Sequence, residues 1–147
     1  MRRTRYKVNL KRFMADCEAN YRRLAKLFPD MAIQDERRLG IGGGEAVEVV
    51  FAVRERSAHT TLVTLRQREP GRSWWSSLPQ LVIRIYHDAR LAEVIDCDGE
   101  RNVWPRQDYP NRRMLHPDEK AQWNRFLGEW LGACLARGFV AADCPVP

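Results

Sequence analysis

The stretch EAVEVVFAVRERSAHTTLVTLRQ (residues 45–67) reads as two strands and a turn. Val47, Val49, Phe51 and Val53 point one way, and Glu48, Val50, Ala52 and Arg54 the other, the alternation of a half-buried strand. Glu55-Arg56-Ser57-Ala58 turns the chain. Thr60–Gln67 then alternates again, with Thr61, Val63 and Leu65 on one face. Two such strands joined by so short a connection form a hairpin, because a parallel pair needs a long crossover.

The pattern extends on both sides of the hairpin. Residues 33–41 read as a first strand, and Gly42-Gly43-Gly44 as the turn after it, since glycine admits positive φ. Residues 69–79 read as a loop. Leu81, Ile83 and Ile85 alternate with Val82, Arg84 and Tyr86, and His87-Asp88-Ala89 turns the chain into a strand over Leu91–Cys97. Asp98-Gly99 is a hairpin signal, which adds a short edge strand at Arg101–Trp104. Residues 105–116 read as loop.

A helix is expected at each end. Leu10, Phe13, Met14, Cys17, Tyr21, Leu24, Leu27 and Phe28 form one apolar stripe at helical spacing, with Asn9 as N-cap and Pro29 as terminator. Trp123, Phe126, Leu127, Trp130, Leu131, Cys134 and Leu135 form a second. Pro117, Asp118 and Glu119 suit its first turn, and Gly138 its C′ position. The expected fold is therefore α+β in two layers. A curled antiparallel sheet of five or six strands, in a meander between about residues 33 and 104, carries both terminal helices (about 9–28 and 117–137) on one face. The 147 residues read as one domain (1–147), since a chain this long buries a core without metal or disulfide staples.

Composition narrows the function classes. No run approaches the ~18 apolar residues of a membrane span. The basic N-terminus lacks the apolar stretch of a signal peptide, which points to the cytoplasm. Cys17, Cys97, Cys134 and Cys144 make no C-x-x-C and read as reduced thiols, with Cys17 and Cys134 as small core hydrophobes. Neither a metal nor a cofactor is expected. The formal charge of +6 is uneven. Residues 1–28 hold nine Lys/Arg and two acids (net +7), and the rest holds 16 and 17 (net −1).

Residues able to carry chemistry gather at turns. Arg84, Tyr86, His87 and Asp88 run off a strand into a hairpin, and Asp108, Tyr109, Asn111 and Arg112 lie in the loop before the last helix. Brought together at one end of the sheet, their guanidinium groups suit an anionic small molecule. His87 beside Asp88 or Asp108 would suit acid–base work in a hydrolase or transferase. A purely structural role is the competing account: Asp88 capping its own turn, Asn111 forming an Asx turn, the arginines in surface ion pairs. Trp74 and Trp75 are expected as a core lid or a partner anchor. The basic first helix allows nucleic-acid binding, which would weaken steeply with salt. The leading expectation is a non-catalytic binding module for an anionic small molecule or a protein partner.

The strings HTTLVTLRQ (59–67), WWSSLPQLVIRIYHDARLAEVI (74–95) and DYPNRRMLHPDEKAQWNRFLGEWLGACLARG (108–138) resemble those of the YqiB-like family of short proteobacterial proteins. The resemblance covers most of the chain from the first helix to residue 138. It carries over no catalytic residue and no cofactor.

Overall fold

The computed structural model describes residues 9–41, 47–68, 80–98 and 117–140. Helix α1 (Leu10–Leu27) is followed by strands β1 (Glu36–Ile41), β2 (Val47–Arg56), β3 (Thr60–Arg68), β4 (Gln80–Tyr86) and β5 (Leu91–Asp98). Helix α2 (Pro117–Arg137) and strand β6 (Gly138–Val140) complete the order. The strands form one antiparallel sheet in the order β5-β4-β3-β2-β1-β6. The expected α+β meander with a helix before and after it is present.

Register explains why one face is apolar. Leu39 stands opposite Val49, Phe51 opposite Leu65, Val63 opposite Ile83 and Ile83 opposite Val94. Side chains on a strand alternate, so one set of partners lines one face from edge to edge. All of these are buried, in one core with Leu24, Leu27, Phe28, Leu127, Trp130 and Leu131 of the helices. The opposite face carries Arg38, Glu48, Arg66, Arg84 and Tyr86, with Glu48 half-buried between Arg38 (3.6 Å) and Arg68 (3.2 Å).

Both helices start and stop as their sequences direct. The Arg12 amide donates to Asn9 Oδ1 at 3.1 Å, so Asn9 is the N-cap, and α1 ends two residues before Pro29. Asp118 and Glu119 occupy the first turn of α2 and Arg137 its last, favourable for the helix dipole.

Several expectations need correction. The stripe of α1 is buried only from Cys17 onward, and Leu10 and Met14 are 66% and 38% exposed. On α2, Leu135 faces outward, because the buried face is rotated to take in Asn124. The first strand begins at Glu36 rather than residue 33, and Ile33 lies in a turn. Strand β2 runs through Glu55 and Arg56, with a bulge after Val53, and the turn falls at Ser57–His59. The proposed strand at Arg101–Trp104 and the Gly42-Gly43-Gly44 turn lie outside the described residues. The sixth strand is β6, which opens at Gly138 directly after α2 and pairs with β1.

Arg56 accounts for the late start of β1. Its guanidinium donates to the Met31 carbonyl (Nε 3.1 Å, Nη2 2.9 Å), the Gln34 carbonyl (2.8 Å) and Asp35 Oδ1 (3.0 Å). Such a fork holds residues 31–35 as a compact turn that a strand would dissolve. Replacing Arg56 by Ala is expected to lower stability by about 1–2 kcal/mol in urea unfolding, and Lys should restore little of it. Equal stability of the Lys variant and the wild type would contradict the fork.

Candidate functional site

On the face opposite the helices, the strand ends form a half-open polar cleft of about 260 Å³. Glu55, Ser57, Thr60, Leu62, Arg84 and Tyr86 line it. The register places them in two rows. Glu55 faces Leu62, which faces Arg84, which faces Glu93. Thr60 faces Tyr86, and the Ser57 amide donates to the Thr60 carbonyl at 2.8 Å. The sequence makes this cleft because Arg84 and Tyr86 sit at outward positions of a strand whose other positions, Leu81, Ile83 and Ile85, are buried.

Glu93 would be the natural cross-strand partner of Arg84, but it is otherwise engaged. Lys120 Nζ lies 2.7 Å from Glu93 Oε2, and the Tyr86 hydroxyl donates to Glu93 Oε1 at 3.0 Å. Burial, then the charge of Glu93 and its hydrogen bond, push the Tyr86 phenol above its ordinary pKa, and Arg84 opposes them. A polar chain thus runs from α2 through β5 to the cleft, and Arg84 stands exposed at its end.

His87 does not share that cleft. Its Nε2 lies 2.7 Å from Thr61 Oγ1, a buried hydroxyl on the helix-covered face, and its ring meets Tyr21 edge-on at 6.3 Å. Asp88 pairs instead with His59 (Nδ1 to Oδ1 3.2 Å), an exposed contact of little energetic weight. The His87 amide donates to the His59 carbonyl at 2.9 Å, which joins the two hairpin turns. The structure therefore brings Arg84 and Tyr86 together and places His87 apart, with Thr61 rather than a carboxylate against its ring. Asp108, Tyr109, Asn111, Arg112, Trp74 and Trp75 lie outside the described residues. On α1, Lys11, Arg12, Arg22 and Lys26 are exposed on its solvent side.

A second polar constellation, which no sequence motif marks, is centred on two fully buried asparagines, Asn20 and Asn124. The Asn124 side chain accepts from the Val94 amide (3.1 Å) and donates to the Lys120 carbonyl (2.8 Å). Asn20 Nδ2 donates to the Asn124 carbonyl at 3.0 Å, and Arg23 Nη1 donates to Asn20 Oδ1 at 2.7 Å. Val94 lies on β5, the edge strand among the described residues, whose outward amides have no neighbouring strand there. Asn124 supplies the acceptor one of them lacks. The signal was present: Asn20 and Asn124 stand at stripe positions, three residues from Cys17 and Leu127.

The thiols of Cys17 and Cys134 are buried, and burial pushes both up to about 12, the protonated and unreactive state of core cysteines. Among the described residues, no group of three or more His, Cys, Asp or Glu side chains could hold a metal ion. No helix among them is long and apolar enough to cross a membrane.

Sheet, helices and clefts define an α+β domain with a cleft on each side of strand β4. The family described as protein of unknown function (DUF1249) matches residues 23–140, and the chain belongs to that family. Uncharacterized protein YqiB of Escherichia coli strain K12 is 37% identical to it over 142 residues, covering 93% of this chain and 96% of the relative. Proteins of the same name from strains O157:H7 and O6:H1 align to the same extent. The YqiB-like resemblance of the sequence is thereby borne out. No solved structure matches the chain.

Proposed function

We propose that this protein is a non-catalytic binding module that holds a small anionic molecule in the Arg84 cleft. One observation carries the reading: an exposed guanidinium beside the hydroxyl-bearing residues Ser57 and Thr60, with its cross-strand carboxylate, Glu93, taken up by Lys120 and Tyr86. A single guanidinium matches one carboxylate or phosphomonoester in a two-pronged contact. The Ser57 and Thr60 hydroxyls suit the remaining oxygens. Glu55 on the rim tempers the positive charge and favours a ligand that also carries hydroxyl or amino donors.

A thermal-shift panel of inorganic phosphate, phosphomonoesters and hydroxy- or amino-carboxylic acids tests the reading. At least one compound should raise the melting temperature. Arg84→Ala should weaken its binding about 10- to 100-fold, the cost of a charged hydrogen-bonding partner. No shift from any compound at millimolar concentration would end the proposal, as would a shift that survives in Arg84→Ala.

A further inference from the structure

We propose that the groove between the end of α1 and strand β4 is a docking site for an acidic segment of another protein that inserts one aromatic or branched aliphatic side chain. The groove is distinct from the Arg84 cleft, because Ile85 and His87 line it, whereas Arg84 and Tyr86 line the other.

Lining selects the kind of occupant. The groove holds about 230 Å³, close to the volume of the Arg84 cleft, but its walls are mainly apolar where that cleft is polar. It has room for a single anchoring side chain, and interfaces are commonly anchored by one large side chain in a pocket. The walls agree. Leu24, Phe28, Met31 and Ile85 form a buried apolar floor, and Met31 adds the adaptable thioether that suits a fitted side chain. Tyr21 and His87 add the polar side chains of the lining.

The surroundings continue the surface outward. Ile33, two residues beyond Met31, is 79% exposed, the most exposed of the large apolar side chains among the described residues. An isolated exposed hydrophobe needs no explanation, but one beside an apolar groove enlarges a contact patch. Charge then selects the partner. Arg22 and Lys26 are exposed on the helix that forms one wall, flanking Tyr21 and Ala25, while of the nearby acids Asp30 lies beyond the helix end and Asp88, next to His87, is held by His59. Helix α1 holds five basic and two acidic residues, so an acidic segment is steered toward this wall.

Fluorescence anisotropy with the full-length protein and labelled seven-residue peptides tests the inference. The peptides carry three acidic residues on each side of a central Phe, Leu or Ala. The Phe and Leu peptides should bind at least tenfold more tightly than the Ala peptide. Lysine in place of the flanking acids should abolish binding. Ala25→Trp, an exposed position on the groove wall, should block the anchor and remove the preference for Phe or Leu with the melting temperature unchanged. Arg22→Glu with Lys26→Glu should weaken the acidic peptides by a similar factor. Equal binding of all three centres, or no binding by any, would overturn the inference. So would a dimer in sedimentation that Ala25→Trp dissociates, since the occupant would then be a second copy of the chain.

Discussion

Replacing Asn124 by alanine is expected to cost about 2–3 kcal/mol, the penalty for leaving a buried donor without an acceptor together with the lost side-chain bond to the Lys120 carbonyl. The Val94 amide would be the stranded donor. It is fully buried beneath two helices, where water cannot replace the lost oxygen without opening the contact between α2 and β5. For a chain of this length the loss corresponds to roughly 5–10 °C in melting temperature. Hydrogen exchange should show the Val94 amide losing more protection than those of central strand β3. A melting temperature within a degree of wild type would mean that this bond contributes nothing net.

Gly128 gives the second large effect, and two substitutions there should diverge. A Cβ at this position would lie 3.0 Å from Arg23 Nη1 and 3.2 Å from Asn20 Oδ1. In Gly128→Ala, the strain of that approach opposes a helix-propensity gain of about 1 kcal/mol, and the end of the Arg23 side chain can move aside, so the net change should be near zero. In Gly128→Leu the added carbons must enter the space held by the Asn20–Arg23 hydrogen bond. Overpacking there is expected to cost about 2–3 kcal/mol, read in urea unfolding. Stability in the Leu variant equal to that of the Ala variant would show that the helices separate freely at this point.

These two positions also mark where the sequence could and could not be read. The strands were legible because alternation has a period of two and each buried face is nearly pure hydrocarbon: Leu81, Ile83 and Ile85 leave no other choice of face. The ends of the helices were legible because Asn9, Pro29, Pro117 and Arg137 act locally. The facing of the helices was less so. A stripe of hydrophobes says which side is apolar, but not that a polar Asn124 is required at its centre by an amide on a distant strand. Strand β6 was missed for a related reason: three residues carry no period, and their strand character comes from pairing with Leu39–Ile41. The start of β1 was misplaced because the clamp that sets it, Arg56, lies about twenty residues further on.

The candidate site was half legible. Arg84 and Tyr86 were singled out, and both line the polar cleft. His87 was grouped with them because it follows directly in sequence, yet one step along a strand reverses the direction of a side chain. Ser57 and Thr60 were not singled out, since a serine and a threonine near a turn carry no message until pairing sets them beside Tyr86.

The pairing of β6 with β1 has a consequence for how the protein is made. Translation completes strands β1 to β5 before α2 or the strand that covers the β1 edge exists. A chain on the ribosome that has not reached residue 140 therefore presents two adhesive surfaces together: the apolar sheet face awaiting α2, and the bare hydrogen-bonding edge of β1. Both are covered by one continuous segment, because Gly138 follows Arg137 without a loop. Arrival of that segment ends both hazards in a single step, and a chain truncated before it would be a substrate for chaperones and proteases rather than a smaller version of the protein.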